Sequence, residues 1–539
     1  MVRLSLGVFS NGRDSRTPDV IKNHQAAIRG NRVNKIPSQT NKRQYVLLLL
    51  LTAAALMVHG YHPYAEDAEI YLPGVEKILN PELFPVGGEF FKSHASLTLF
   101  PNLIALSLRV THLPMEVGLF LWQVASIFLL LLGCWELASI FFPDARRARW
   151  GGVCLVAALL TIPVAGTALY IIDQYLNPRN LAAFAGIFML ARTLEKKYVA
   201  AGLWLIFAAC MHPLMWVFPF SFCALLPVMD ALEKYTKKPA VAASFITLWM
   251  PLSPAASEAY HEAAKRHGFH YIQNWQWYEQ LGIVAPLALF WWLGRLAGNR
   301  WPTVESAMTQ RAAIQRVCRA FLVYGFIYLA MALVLDLPAR FEALARLQPL
   351  RSLHFLYIVM FLLIGAFVAE YLLRDRVWRW LLLLVPLSAG MFLAQRALFP
   401  QSAHVEWPGA APKNAWAQAF DWTRRNTPVD AVFALDPEYM HIAGEDENGF
   451  RCRAERSRLA DWVKDNGVVS MFPPLAEEWW AQVKTQSPWN DLQAEDFARL
   501  KKNYGASWVI LQKDIAGQQY VAGLDCVYQN SVVRVCRIR

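Results

Sequence analysis

Residues 45–74 read YVLLLLLTAAALMVHGYHPYAEDAEIYLPG. Tyr45–Gly60 carries no Asp, Glu, Lys or Arg. Directly after it, Glu66, Asp67 and Glu69 fall within four positions. An apolar block that ends in clustered acids predicts a membrane helix emptying into an aqueous loop. Carboxylates at a lipid boundary are costly to desolvate, so three of them there call for a physical cause.

Similar apolar blocks, each of roughly 15–25 residues, recur down the chain and match the length that crosses about 30 Å of hydrocarbon. The 539 residues are 56% hydrophobic and only 17% charged, far more apolar than an average soluble domain. This predicts a polytopic membrane protein. The net charge of +11 lies in the N-terminal tail and in short loops between apolar blocks, as lipid topology requires, and no nucleic-acid motif accompanies it. The first 43 residues hold nine Lys or Arg against two acids and read as a disordered cytosolic tail. The block that follows reads as an uncleaved anchor.

About eleven spans are expected: Tyr45–Gly60, Glu116–Phe142, Gly152–Tyr170, Leu181–Leu194, Val199–Met211, Pro213–Met229, Val241–Leu252, Leu281–Leu296, Ile314–Leu335, Leu353–Leu373 and Trp380–Leu398. Ser96–Val110 is also apolar. Counting it as a span would place every later basic loop outside, so it is expected to lie in the interface instead. The N-terminus is then cytosolic. The loop 61–114 and everything after Pro400 are extracytoplasmic, in an inner, plasma-type membrane. Within that loop, Pro73 is expected to open a short helix that Asn80–Pro81 ends. The Trp and Tyr of QNWQWYEQ (Gln273–Gln280) suit an interfacial belt.

The fold class expected is thus mostly α: a tail (1–43), a helix bundle (44–399) and a C-terminal α/β domain (400–539). In the last, Lys413–Arg425 and Leu492–Asn503 read as helices, and Ala431–Leu435 and YGASWVILQKD as strand-bearing segments. Cys526–Gln529 and Val532–Ile538 read as a hairpin turning near Asn530. Cys526 and Cys536 could face each other across it, and oxidise outside the cytosol.

The acids have two readings. Helix N-termini attract carboxylates through the helix dipole. A carboxylate in a membrane-edge cleft can instead take a proton from an attacking hydroxyl or amine, or hold a divalent cation.

Several motifs together resemble the GT-C superfamily of membrane glycosyltransferases, which use polyprenyl-phosphate-linked sugars. They are a span followed by an acidic outer loop, the amphipathic TLFPNLIALSL, a span ending in DARRAR, and RWGGVCLVAALLTIPVAG. WTRRNTPVDAVFALDP and YGASWVILQKD are similar to the outer domain of bacterial GT-C-like proteins. The resemblance implies a catalytic aspartate at Asp67, with Glu66 or Glu69 as alternates, and a second acid at Asp173 in YIIDQYLNPRN. The strict paired acids expected there are replaced by Gln174 and Tyr175. Asp173 reads equally as a cap for the next helix. No cofactor is implied beyond a possible divalent cation.

Arg351, in LQPLRSLHFLY, is placed to hold a lipid phosphate. His212, in CMHPLMW, reads first as structural and second as a substrate or metal ligand. Arg340, Arg346, Lys265 and Arg266 are lesser cationic candidates, and His261, His267 and His270 read as surface residues. The implied partners are a polyprenyl-phosphate sugar donor and membrane lipid. Two other readings compete: a transporter of lipid-linked glycans, disfavoured by the lack of repeats, and a non-catalytic assembly protein.

Overall fold

The computed structural model describes residues 41–235, 257–300, 305–336, 347–513 and 524–539. The expected tail up to residue 40, the expected span Val241–Leu252, and Arg340 and Arg346 lie outside the described residues.

The chain is mostly helical. Among the described residues the first nine helices are α1 (Lys42–His59), α2 (Ala68–Leu79), α3 (Glu89–Ser96), α4 (Phe100–Thr111), α5 (Met115–Phe141), α6 (Arg146–Ala158), α7 (Pro178–Leu194), α8 (Tyr198–Met211) and α9 (Val217–Tyr235). Then follow α10 (Glu258–Lys265), α11 (Trp277–Arg300), α12 (Glu305–Asp336), α13 (Ser352–Val368) and α14 (Val377–Leu398). Among the described residues, five helical segments are long and apolar enough to cross a membrane: Met115–Phe141, Trp277–Ala297, Arg311–Val334, Pro349–Leu373 and Val377–Leu398. The apolar α8 and Val217–Leu232 are shorter. α7 is buried along nearly its whole length and forms the centre of the bundle. α14 buries only Gln395 and presents its apolar side chains outward, as a lipid-facing helix does.

The glycines of RWGGVC set the tightest crossing. A Cβ on Gly151 would lie 2.5 Å from the Gly365 carbonyl oxygen, and one on Gly152 would lie 2.5 Å from that of Leu362. Small residues let α6 and α13 approach to backbone contact.

Three local expectations need correction. The helix expected to run to Tyr170 stops at Ala158. Pro163 has no amide proton to give, and Ala165 and Ala168 take left-handed φ of 49° and 54°. The segment satisfies itself instead, with Val164 N–H donating to the Leu169 carbonyl at 2.8 Å and Ile172 N–H to that of Leu160 at 2.9 Å. Pro73 does not open α2 but lies inside it, because the helix already begins at Ala68, among the acids. His267 is buried rather than on the surface.

α4 has 12 residues, about 18 Å of helix, too short to cross the hydrocarbon. Leu106 and Val110 are 60% and 70% exposed, which is the pattern of a helix lying along an interface. Trp277 and Tyr278 are likewise exposed at the start of α11.

After α14 come α15 (Ala415–Asn426), β1 (Val432–Ala434), α16 (Phe450–Ala454), β2 (Ser457–Arg458), α17 (Lys464–Met471), α18 (Ala476–Thr485), α19 (Ala494–Tyr504), β3 (Trp508–Gln512), β4 (Leu524–Gln529) and β5 (Val533–Ile538). The strands form one mixed sheet in the order β2-β1-β3-β5-β4. β1 is parallel to β2 and β3, and β5 is antiparallel to β3 and β4. Alternation along β3 builds two layers. Trp508 and Ile510 join Trp416 and Phe420 of α15, while Val509 and Leu511 join Phe497 and Leu500 of α19. Cys526 and Cys536 are opposite in the β4–β5 register and are joined by a disulfide.

A separate apolar cluster joins distant parts of the chain. Phe90 of α3 and Tyr260 of α10 pack with Val469 of α17 and Trp479 of α18.

Candidate functional site

The acidic stretch folds as the entry to α2, with Asp67 at the N-cap position. Neither acid there acts as a side-chain cap. The backbone turns sharply at Glu66, whose φ of 57° is left-handed and costs about 1–2 kcal/mol in a non-glycine residue. A distant loop holds that turn: Glu66 N–H donates to the Glu447 carbonyl at 2.9 Å, and Ala65 bridges to Asn448.

Asp67 is gripped from two sides. Arg179 Nη1 donates to Oδ2 at 3.0 Å, and Lys464 Nζ donates to Oδ1 at 3.3 Å. Lys464 also pairs with Glu66. Arg179 continues to Asp173, with Nη2 and Nε donating to Oδ2 at 3.2 and 3.3 Å. The position of Arg179 follows from the LNPRN sequence: Asn177 caps α7 by accepting from Arg179 N–H at 2.9 Å, and Pro178 occupies the first turn. Asp173 therefore positions a guanidinium and does not cap α7. Tyr175 closes the group, its hydroxyl accepting from Asp67 N–H at 3.3 Å.

These residues line a cavity of about 250 Å³. Glu66, Asp67, Asp173, His212 and Arg351 all reach it, and so do Arg179, Lys464, His94, His267, His270 and Gln348. Glu69 does not. It is fully buried behind the cavity, accepting from Arg458 Nε at 2.8 Å and from Cys452 N–H at 3.3 Å. Arg340 lies outside the described residues. Lys265 pairs with Glu262, and Arg266 pairs with Glu438 and covers Trp462; neither lines the cavity.

Arg351 enters from the turn Pro349–Arg351 that precedes α13. Its Nε is buried without a hydrogen-bond partner among the described residues. His94 Nδ1 and Gln348 Oε1 are unpartnered in the same way. His212 Nδ1 accepts from the N–H groups of Leu214 and Met215, both at 3.2 Å. That fixes the proton on Nε2.

The electrostatics are uneven. Burial pushes the Asp67 carboxyl up, but Lys464, Arg179 and Arg351 outweigh burial and hold it well below the ordinary value. Burial pushes Asp173 up further than Arg179 pulls it down. Burial, reinforced by Glu66, pushes Glu447 up to about 9, so that it carries a proton at neutral pH. Burial keeps His94 and His267 neutral, each lowered to about 4.

Among the described residues no three His, Cys, Asp or Glu side chains gather as a metal site requires. The places a divalent cation would take at Asp67 are held by Lys464 and Arg179, so the donor set does not fit the expected cation.

No family model matches the chain, and no curated protein matches it in sequence.

Arg179, Tyr175, Lys464, Glu447, His94 and Gln348 were not singled out from sequence. Arg179 and Tyr175 were within the quoted YIIDQYLNPRN, and Asn-Pro at a helix start was the usable signal. Lys464 and Glu447 come from the far end of the chain and carry no local signal.

Proposed function

We propose that the chain is an integral-membrane inverting glycosyltransferase. It would move a sugar from a polyprenyl-phosphate donor to a glycan, lipid or protein acceptor outside the cytosol. One observation carries this reading: an anionic Asp67 and an Arg351 with a free guanidinium nitrogen share a single cavity. The cavity wall includes Leu97, next to the exposed apolar face of α4. A hydrocarbon tail can lie along such a face while its phosphate reaches the arginine.

In this reading the acceptor oxygen or nitrogen attacks the anomeric carbon, and the bond from that carbon to the phosphate oxygen breaks. The phosphate leaves with the electron pair, stabilised by Arg351. The acceptor proton passes to an Asp67 oxygen, each of which keeps a lone pair beyond its cation contact. Asp173 holds Arg179 against Asp67. His212, with its Nε2 proton fixed, donates to substrate. The topology that goes with this has about eleven spans, a cytosolic N-terminus and an extracytoplasmic C-terminal region.

One observation favours a second reading. A doubly paired carboxylate is a weak base, and weak basicity suits a non-catalytic assembly protein as well.

The test uses membranes carrying the full chain, supplied with lipid-linked sugars. Asp67→Asn is expected to abolish transfer while the purified variant stays folded. Full transfer by that variant removes Asp67 from the mechanism. Absence of transfer by the unsubstituted chain, across the donors tried, favours the assembly reading.

A further inference from the structure

We infer that Lys464, delivered to the cavity by the C-terminal region, is a positioning residue that holds the Asp67 carboxylate in its working orientation. The word working rests on the glycosyltransferase reading; the grip itself does not.

The two oxygens of Asp67 are held from different parts of the chain. Oδ2 is held by Arg179, which belongs to the helix bundle. Among the described residues, Oδ1 is held only by Lys464, the first residue of α17. With one anchor, a carboxylate rotates about χ2, since that torsion is broad. Two anchors on opposite oxygens fix its plane. The carboxylate is then held in one orientation in the cavity that Asp67 lines.

The lysine is itself held firmly. Glu66 takes its ammonium in a second ion pair, and the side chain is only 11% exposed. The backbone of α17 is anchored below it, where Asp461 Oδ1 accepts from Lys464 N–H at 2.8 Å and from Asp465 N–H at 2.8 Å. Asp465 is in turn gripped by Arg451 at 2.7 and 2.8 Å. The chain thus spends several buried charges on seating one helix start next to Asp67. A helix needed only for docking could rest on the apolar cluster of Val469, Trp479 and Phe90 alone.

The groups that set the charge state of Asp67 are Lys464, Arg179 and Arg351 on the cationic side. On the anionic side they are Glu66 and Asp173, with the protonated Glu447 and the neutral Tyr71, Tyr175 and His94 nearby. Removing Lys464 takes away the cation on Oδ1, and the Asp67 carboxyl rises.

The test reads protonated carboxyls with dicyclohexylcarbodiimide, which enters apolar sites, and places the adducts by tandem mass spectrometry. In the unsubstituted full-length chain at about pH 6, Glu447 is expected to react and Asp67 to stay unmodified. Reaction at Asp67 to the same extent as at Glu447 overturns the inference even if every variant fails to fold. In Lys464→Met, labelling of Asp67 is expected to rise at least about tenfold, the change that one pKa unit brings. Lys464→Arg should restore protection. A folded Lys464→Met with unchanged labelling overturns the inference.

Transfer assays separate positioning from docking. Lys464→Met is expected to lower kcat with KM for the donor kept, and to move the acid limb of the pH profile upward. A proportional loss at every pH, with a lowered thermal midpoint, is the result for a purely structural lysine and also overturns the inference. If the unsubstituted chain transfers no sugar, the glycosyltransferase reading falls, and the labelling arm alone decides the grip.

Discussion

Arg458 Nε donates to Glu69 Oε1 across 2.8 Å, and both side chains are buried. Glu69 lies two positions from Asp67, yet the two acids do different work. One pins the acidic loop to the C-terminal region, and the other faces the cavity. Arg458 extends the pin to Asp461 at 2.5 Å and Asp465 at 3.3 Å.

Removing one partner of such a buried pair leaves the other uncompensated and costs about 3–5 kcal/mol. Glu69→Ala is therefore expected to lower the thermal midpoint of the detergent-solubilised protein sharply. Asp67→Asn, which keeps shape and leaves Lys464 paired with Glu66 and Arg179 paired with Asp173, should lower it less. Equal midpoints for the two variants would refute this division of roles.

Glu447 provides a pH signature. Its folded-state value of about 9 lies above the ordinary 4.5. Between those values the folded chain keeps a proton that the unfolded chain has lost, so this group makes stability fall as the pH rises through that window. Asp67, held low, acts oppositely: its contribution is present above its ordinary value and is lost in acid. Midpoints measured at about pH 5, 7 and 9 are expected to decline, and Glu447→Gln should flatten the decline.

The α6–α13 crossing tolerates no added side chain. Gly151→Val would drive a branched side chain into the Gly365 carbonyl, and overpacking of this kind costs about 1–3 kcal/mol or more. Gly390, on the outward-facing α14, has nothing within 4 Å of an added Cβ. Gly390→Val should leave folded yield and midpoint unchanged, while Gly151→Val should reduce both. Size-exclusion profiles of the two variants make the comparison.

Arg351 is expected to retain lipid phosphate. A charge-assisted hydrogen bond is worth about 1.5–3 kcal/mol, so Arg351→Ala should reduce copurified polyprenyl phosphate at least about tenfold. Mass spectrometry of the extracted lipid measures it. Undiminished lipid phosphate in the variant would separate Arg351 from the donor.

Much of this layout was legible because it depends on local pattern. Charge placement alone put Ser96–Val110 in the interface, and α4 is indeed too short to span. The apolar run of YGASWVILQKD marked β3, and Asn530 marked the turn that brings Cys526 to Cys536. Five residues chosen from separate loops converge on one cavity: Glu66, Asp67, Asp173, His212 and Arg351. What stayed hidden depends on long-range pairing. FRCRAERSR (Phe450–Arg458) carries no local sign of its role, yet Arg451 and Arg458 are buried because Glu69 and Asp465 come to meet them. Glu69 looked interchangeable with its neighbours, because a difference of two positions along a helix reverses the side it faces. His267 looked exposed because its burial comes from packing beside Gly467 and Asn466 of α17.

The pairing of Glu66 with Lys464 also bears on how the protein is made. Those residues are 398 positions apart, roughly 20–80 s of elongation at about 5–20 residues per second. For that interval the newborn loop carries Glu66, Asp67 and Glu69 with none of their C-terminal counter-ions. A ribosome that stops before codon 464 therefore leaves behind a membrane-inserted chain whose acids have not met Lys464.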